Sequence, residues 1–377
     1  MFSILINILL FILIIGFLTF IHELGHFLAA KAIKTKVYEF SLGFGPKLIC
    51  KKFKETLYCI RIIPLGGFVK ILGDGDPGKE EDEKKLRDSD YNLNNKPKGL
   101  QIMVMLAGVF MNLLFAIIFY YVMLGMTEWR TNPIYVNLDK VNIVGASVDR
   151  VIGYEAISEG NADLAGVPRY GIVKQINGED IDDRDVLTER ISEQEEVSVL
   201  VCDEQVKECE QYLVEVDDDG RIGIYVSYGY ILDYSDVKFW GGGLYLVNNL
   251  KIVSNLLGSM IGVARETGDY SDLSNTVAGP VGIFLLIDNF KSRGFVVLLS
   301  LVADLSLSLA IMNILPIPAL DGGRVLILLI EAIFRKDLNE KVKAIIINIS
   351  MGLLMVLVVL IIVKDVINID AMRDMFG

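Results

Sequence analysis

Histidine is almost missing from this sequence: the 377 residues include two, His22 and His26. A metal site built on imidazole must therefore use both of them and take its other ligand from a different residue type. The four cysteines are too few to define a disulfide framework. Basic residues are outnumbered by acidic ones, 36 against 48, and for a chain of net charge −12 no nucleic-acid partner is predicted.

Apolar residues, in contrast, are abundant. They make up 53% of the chain, the mean hydropathy is +0.47, and both values predict a multi-span membrane protein. About 20 apolar residues in a helix cross a hydrocarbon core of about 30 Å. No Lys or Arg precedes the first run, which is also too long for a signal-peptide core, so we expect a retained anchor. The apolar runs are 2–21, 102–124, 295–320 and 344–363.

The basic residues predict the orientation. Residues 31–98 contain fifteen Lys/Arg and ten Asp/Glu, whereas residues 127–245 contain ten Lys/Arg and twenty-five Asp/Glu. Short basic loops stay in the cytoplasm, and an acidic domain can be translocated. We therefore predict that the N-terminus, residues 126–294 and the C-terminus lie outside, and that residues 31–98 and 335–343 lie inside.

This orientation also bears on the cysteines. Cys50 and Cys59 are predicted to be cytoplasmic and reduced. Cys202 and Cys209 flank a predicted hairpin turn on the outer side, where a disulfide can form.

Between the apolar runs the sequence changes character. Residues 36–73 contain stretches of alternating apolar and polar residues that are broken by glycine and proline, and this pattern predicts a short β-sheet. Residues 74–98 are rich in charged residues, which predicts a solvated loop. Residues 140–236 contain the strand-like runs "IVKQINGE", "VSVLVC", "EQYLVEV" and "RIGIYVSY" and one helix near 185–192. Apolar positions between 239 and 265 recur at helical spacing, which predicts a helix on the membrane or against the bundle.

The chemistry-bearing pattern is "HELGH" at 22–26. On a helix, residues four apart share a face, so both imidazoles can bind one zinc ion while Glu23 acts as general base. Ionisable groups at the border of a lipid-spanning helix mark function. A structural metal in a non-catalytic receptor would need a fourth protein ligand, which the sequence does not offer, and a transporter would need more ionisable residues along the spans.

A carboxylate is the natural third ligand. Pro316 and Pro318 cannot continue a regular helix, and a broken backbone at membrane depth predicts a polar cavity near Asp321. The first and third spans both enter from outside, so His22 and Asp321 arrive at a similar depth near the inner face. This argument favours Asp321 over the competing Asp304.

Two asparagines in the spans allow two interpretations. The amides of Asn112 and Asn313 can simply bind neighbouring helices together, or they can hold a substrate carbonyl or stabilise an oxyanion.

Five motifs together resemble the site-2 protease family, in its RseP-type branch of bacterial intramembrane zinc metalloproteases. They are "HELGH", "GFGP" (43–46), "PLGGFVK" (64–70), "AGPVGI" (278–283) and "NILPIPALDGG" (313–323). Residues 161–181 also resemble a PDZ domain, although Tyr170-Gly171 replaces the usual Gly-Asp. A further departure is Arg324, where the family often has His.

The resemblance implies zinc ligation by His22, His26 and Asp321, with Glu23 as catalytic base. It implies that Asn112, Asn313, Gly43 and Gly45 position the substrate, and that the sheet is a membrane-reentrant hairpin offering an edge strand. The implied substrates are single-span membrane proteins, namely anti-sigma factors undergoing regulated intramembrane proteolysis, and remnant signal peptides. The implied location is the bacterial cytoplasmic membrane.

The predicted fold is a multi-span α-helical membrane protein with about four transmembrane helices, a reentrant β-hairpin and an inserted extracytoplasmic PDZ-like α+β domain. The predicted segments are a first span with the histidines (1–33), the hairpin and cytoplasmic loop (34–98), a second span (99–126), the PDZ-like domain (127–237), membrane-surface helices (238–294), a third span with the "LDG" motif (295–334), a fourth span (340–364) and a short tail (365–377).

Overall fold

The computed structural model describes residues 2–74, 86, 89–192, 194–204 and 206–369. The chain forms two compact units, one of residues 1–119 with 275–377 and one of residues 120–274. The helices are α1 (Phe2–Ala32), α2 (Lys98–Met126), α3 (Asn161–Leu164), α4 (Arg184–Ser192), α5 (Gly241–Thr267), α6 (Ser271–Thr276), α7 (Pro280–Ser292), α8 (Phe295–Ile314), α9 (Asp321–Phe334) and α10 (Glu340–Ile367). The strands are β1 (Val37–Phe53), β2 (Thr56–Ile71), β3 (Ser147–Ala156), β4 (Tyr170–Ile176), β5 (Glu179–Asp180), β6 (Glu196–Cys202), β7 (Cys209–Glu215) and β8 (Ile224–Asp233).

Each of the four predicted apolar runs forms a helix, α1, α2, α8 or α10, although the third run leaves its helix after Ile314. Among the described residues, five helices are long and apolar enough to cross a membrane, and the fifth is the stretch Ser235–Thr267 that contains α5. Its best window has a mean hydropathy of 1.2, the lowest of the five. The chain is thus an integral membrane protein with several apolar helices.

The predicted break in the third run is confirmed. Helix α8 ends at Ile314 and α9 begins at Asp321, with Pro316 and Pro318 in the connection. Gly322 and Gly323 let the chain fold back tightly, because a Cβ atom on either would lie 2.1 Å from the carbonyl oxygen of Ile314 or Ile317. This fold-back places Asp321 in the first turn of α9.

The predicted β-sheet of the first unit is confirmed as β1 and β2. Residues 39–42 of β1 have partners on both sides, Gly67–Lys70 of β2 and Leu57–Ile60 of β2. Both strands can double back in this way because they bend, and Gly43 and Gly45 lie at the bend of β1 with φ of 82° and 81°. The sheet packs on α1 through Phe40, whose ring contacts those of Phe20 and Phe27.

The prediction that Cys50 and Cys59 are reduced is wrong. The antiparallel register places Cys50 directly opposite Cys59, with their Cα atoms 4.2 Å apart, and the two sulfurs form a disulfide. The sequence argument considered only the compartment and missed that the hairpin brings the two thiols together.

Glu331 connects three helices of the first unit. Its side chain, 0% exposed, accepts from the Lys98 Nζ of α2 at 2.6 Å and the Lys343 Nζ of α10 at 2.5 Å. The backbone N–H of Leu338 also donates to this carboxylate, at 2.8 Å. A carboxylate withdrawn from water requires such partners.

The second unit contains an antiparallel sheet with strand order β7-β6-β4-β3-β8, and β5 pairs with β4. The predicted strands and the helix α4 are confirmed. The core consists of alternate apolar side chains from the strands, such as Ile152, Val173 and Val199, with Leu187 and Ile191 from α4. Cys202 and Cys209, opposite each other on β6 and β7, form a disulfide.

Polar contacts attach helix α5 to the rest of the second unit. The buried Asn248 amide donates to the Val144 carbonyl at 2.9 Å and accepts from the Val144 N–H at 3.0 Å. Lys251 Nζ donates to the Asn142 carbonyl at 2.8 Å. The first half of α5 is therefore held against the loop that precedes β3.

Candidate metal centre

His22 and His26 lie side by side near the end of α1. Their positions one turn apart place both rings on one face of the helix, with ring centroids 4.8 Å apart. Both are buried, at 9% and 8% exposure. The two Nε2 atoms lie 3.1 Å from each other.

Asp321 completes a cluster of three. Its Oδ2 atom lies 3.0 Å from His22 Nε2 and 3.3 Å from His26 Nε2. Among the described residues these three form the group whose ligand atoms converge closely enough to hold a metal ion. Asp304, the competing carboxylate, is not part of it.

Helix α2 packs against both imidazoles. Val104 accepts a hydrogen bond on its carbonyl from His26 Nδ1, 2.8 Å away. In the neutral imidazole, this bond places the proton on Nδ1 and leaves the lone pair on Nε2. Gly108 lies against the Nε2 end of both rings, because a Cβ atom there would be 2.5 Å from His26 Nε2 and 2.8 Å from His22 Nε2.

Asn112, four residues further along α2, lies at the other histidine. Its side chain is fully buried, and its Nδ2 atom is 3.4 Å from His22 Nδ1. The amide oxygen has no hydrogen-bond partner. Since oxygen and nitrogen of an amide are assigned and not observed, a flipped amide would let Oδ1 accept from His22 Nδ1–H.

The cluster fits a zinc ion. Four ligands arranged tetrahedrally at about 2.0–2.1 Å from zinc lie roughly 3.3 Å apart, close to the three separations above. The His26 Nε2 lone pair and the Asp321 carboxylate point at one another, and Asp321 Oδ2 is buried without a hydrogen-bond donor. Such convergence of acceptors is unfavourable unless a metal cation or an imidazole proton lies between them, and the three separations match those of zinc ligands. Three protein ligands leave the fourth tetrahedral position open, as in catalytic zinc sites.

Glu23 lies beside the end of the sheet. A Cβ atom on Gly67 of β2 would lie 3.2 Å from the Glu23 Cγ atom. Gly67 begins the run Gly67–Ile71, which pairs on one side with β1. No other strand of the described residues pairs with its second side, and we call this run the open edge.

The remaining predicted site residues lie further out. Asn313 is half-buried in the last turn of α8, ahead of the break that leads to Asp321. Gly43 and Gly45 lie at the bend of β1, and the Gly45 carbonyl accepts from Arg61 Nη1 at 2.6 Å. Their part in substrate positioning stays a prediction.

The sequence reasoning missed two features of the site. One is the contact that α2 makes with the two imidazoles through Val104 and Gly108. A glycine inside an apolar helix costs about 1 kcal/mol relative to alanine, so Gly108 was a readable signal of close packing. The other is an ion pair between Asp74, which follows the open edge, and Arg324, one turn after Asp321.

Comparisons with known proteins identify the family of the chain. Residues 10–357 match Peptidase family M50. The chain is 28% identical to the zinc metalloprotease RasP of Bacillus licheniformis, in an alignment that covers 94% of this chain and 97% of that protein. It is 27% identical to the regulator of sigma-W protease RasP of Bacillus subtilis, with the same coverage of 94% and 97%. The chain therefore belongs to peptidase family M50, the site-2 proteases, and is an intramembrane zinc metalloprotease.

Proposed function

We propose that the chain cleaves single-span membrane proteins at the centre formed by His22, Glu23, His26 and Asp321. The observation that carries this proposal is the convergence of the His22, His26 and Asp321 acceptor atoms to separations of 3.0–3.3 Å. Asp321 is assigned as the third ligand because its Oδ2 atom, buried and without a donor, meets both imidazoles.

Zinc held by these three residues would polarise the scissile carbonyl and make water a nucleophile at neutral pH. Glu23 is the general base: its carboxylate takes the proton of the attacking water and returns it to the amide nitrogen of the leaving segment. The side chain follows His22 directly on α1, so the helix that supplies two ligands also aims the base.

The open edge is proposed to hold the substrate. A peptide bond inside a helix has its carbonyl and N–H engaged, and the helix must open before hydrolysis. An unwound segment added as a strand beside Gly67–Ile71 would form main-chain hydrogen bonds there and pass Glu23. Asn313, Gly43 and Gly45 are proposed to position this segment.

Asn112 is proposed to orient His22. With the amide flipped, Oδ1 accepts from His22 Nδ1–H, just as the Val104 carbonyl does from His26. Such partners of ligating histidines fix the ring and its tautomer. Helix α2 would then set both imidazoles before zinc binds.

We further propose the topology that the charges indicate. Residues 31–98 and 335–343 lie on the cytoplasmic side and residues 126–294 outside, in the cytoplasmic membrane of a bacterium. The sheet that carries the Cys50–Cys59 disulfide enters the membrane from the cytoplasmic side as a reentrant hairpin, and so lies away from the reducing cytosol. Four helices, α1, α2, α8 and α10, span the bilayer. Helix α5 lies at the outer surface, since its polar contacts to Val144 and Asn142 hold its first half against the outer unit.

The outer unit is proposed to be a PDZ-like domain that excludes substrates with bulky external domains. The sequence run 161–181 supports the resemblance, and the run forms α3, β4 and β5 in turn. The substrates proposed are membrane-bound anti-sigma factors and remnant signal peptides. The name of the Bacillus subtilis relative, a regulator of sigma-W protease, supports the first of these.

A single-span reporter tests the proposal. Purified protein in detergent is incubated with the reporter, with and without a zinc chelator, and the products are located by mass spectrometry. Glu23→Gln is expected to abolish cleavage and keep bound zinc, whereas Glu195→Gln, an exposed acid of the outer unit, leaves cleavage unchanged. Wild-type cleavage by Glu23→Gln would show that the assignment is wrong.

A further inference from the structure

The chain turns sharply where the open edge ends. Gly73 has φ of 89°, in the left-handed region, and a Cβ atom there would lie 1.9 Å from Asn92 Oδ1. The Leu72 N–H donates to the Lys36 carbonyl at 2.9 Å, and the Leu93 N–H donates to the Leu72 carbonyl at 2.9 Å. These contacts fix the backbone of the turn and direct the next side chain, Asp74, towards α9.

Arg324 receives Asp74 from the other side. Its Nη1 atom donates to Asp74 Oδ1 at 2.8 Å, and the two side chains are 32% and 18% exposed. Burial raises the pKa of the Asp74 carboxyl, and the positive charge of Arg324 opposes that shift.

The position of Arg324 on α9 gives the pair a connection to the metal centre. Arg324 lies three residues after Asp321, so the two side chains are neighbours on one face of the first turns. The tight packing of Gly322 and Gly323 on the Ile314 and Ile317 carbonyls leaves that turn little freedom. A displacement of Arg324 would therefore also displace Asp321.

We propose that the Asp74–Arg324 ion pair is a positioning device that fixes the register of the open edge, and of a substrate strand on it, relative to the carboxylate of Asp321. One end of the edge lies against Glu23 at Gly67, and the other is tied to α9 by Asp74. The register of a Gly-containing edge is weakly specified by its own side chains, so a fixed end is needed to hold it in one position relative to Asp321. The inference rests on the proposed function, in which Glu23 and Asp321 act in peptide hydrolysis.

The test uses the purified full chain with a single-span peptide in detergent. We compare Asp74→Asn, Arg324→Gln, the double variant and Arg324→Lys, and use Arg190→Gln as control because Arg190 pairs with Glu179 in the outer unit. The measurements are kcat, KM, the cleavage positions by mass spectrometry, zinc content and thermal unfolding.

Each single variant is expected to lower kcat by about 10–100-fold, as loss of supporting partners at metal centres does, with KM changed by less than about threefold. Cleavage should spread to neighbouring peptide bonds. The double variant should lose no more than either single one, since the two residues act as a unit, and Arg324→Lys should recover part of kcat.

The inference is overturned if both single variants keep wild-type kcat and one cleavage site, or if their losses multiply in the double variant. It is also overturned if kcat falls only together with zinc content and unfolding temperature, because the pair would then serve stability alone. Failure of the proposed function is distinguishable, since it shows as cleavage by Glu23→Gln.

Discussion

Gly108→Ala offers a direct test of the packing of α2 against His22 and His26, the proposed zinc ligands. The added methyl group would lie 2.5 Å from His26 Nε2 and 2.6 Å from His22 Cε1. Ordinary carbon contacts lie at about 3.5–4.0 Å, so the imidazoles or α2 must retreat by about 1 Å. A retreat of α2 would also stretch the hydrogen bond between Val104 and His26.

The expected size of the effect follows from how small a displacement of its ligands a metal site tolerates. Ligand distances in a working metal site hold within about 0.2 Å, and a misplacement of about 1 Å at a reacting centre costs about 100-fold in rate. We expect Gly108→Ala to weaken zinc binding by at least about 10-fold and to lower kcat/KM by about 100-fold or more. The fold should persist, because alanine favours a helix over glycine by about 1 kcal/mol.

The matched control is Gly125→Ala in the last turn of α2. A Cβ atom on Gly125 meets nothing within 4 Å, so the same substitution on the same helix should leave zinc binding and cleavage unchanged. Zinc affinity is measured by competition with a chromophoric chelator, cleavage with the single-span reporter, and unfolding by a thermal ramp in detergent. If Gly108→Ala bound zinc and cleaved like wild type, the packing of α2 on the histidines would be refuted.

Two other substitutions test the interior of the first unit. Asn112→Leu removes the acceptor proposed for His22 and should weaken zinc binding by about 10–100-fold in the same competition assay; unchanged affinity with lost cleavage would instead assign the amide to the substrate. Glu331→Gln removes the charge that Lys343 and Lys98 share, although Lys98 keeps its ion pair with Asp337 at 2.7 Å. It should lower the free energy of unfolding by about 2 kcal/mol, less than the roughly 3–5 kcal/mol of a fully buried pair, because the lysines are 27% and 25% exposed and one of them keeps a partner. An unchanged thermal unfolding curve in detergent would contradict this expectation.

Much of the local structure could be predicted because it depends on neighbours along the chain. The apolar runs of α1, α2, α8 and α10 are long enough to specify helices by themselves. The strands of the second unit follow from alternating apolar residues, as in β6, where Val197, Val199 and Val201 point into the core. Such periodic patterns involve residues that are only two to four positions apart, so they can be read directly from the sequence.

Other features depended on residues far apart in the chain. Cys50 and Cys59 were predicted to be reduced, and only the register of β1 on β2 brings them together. Asp74 and Arg324 are separated by 250 positions, and no local pattern links them. Helix α5 was read from its apolar spacing, whereas its attachment depends on the Asn248 amide meeting the Val144 backbone.

The sequence by itself predicted two of the proposed metal ligands and the proposed base. His22, Glu23 and His26 share one helix, and the helical repeat alone fixes which residues face together. It also restricted the third ligand to a carboxylate, since both histidines were already used. Tertiary structure decided which carboxylate converges on them, how α2 holds the rings, and where the open edge passes Glu23. Those outcomes rest on side-chain packing between segments, which depends on shape and volume in three dimensions and leaves no periodic mark in the chain.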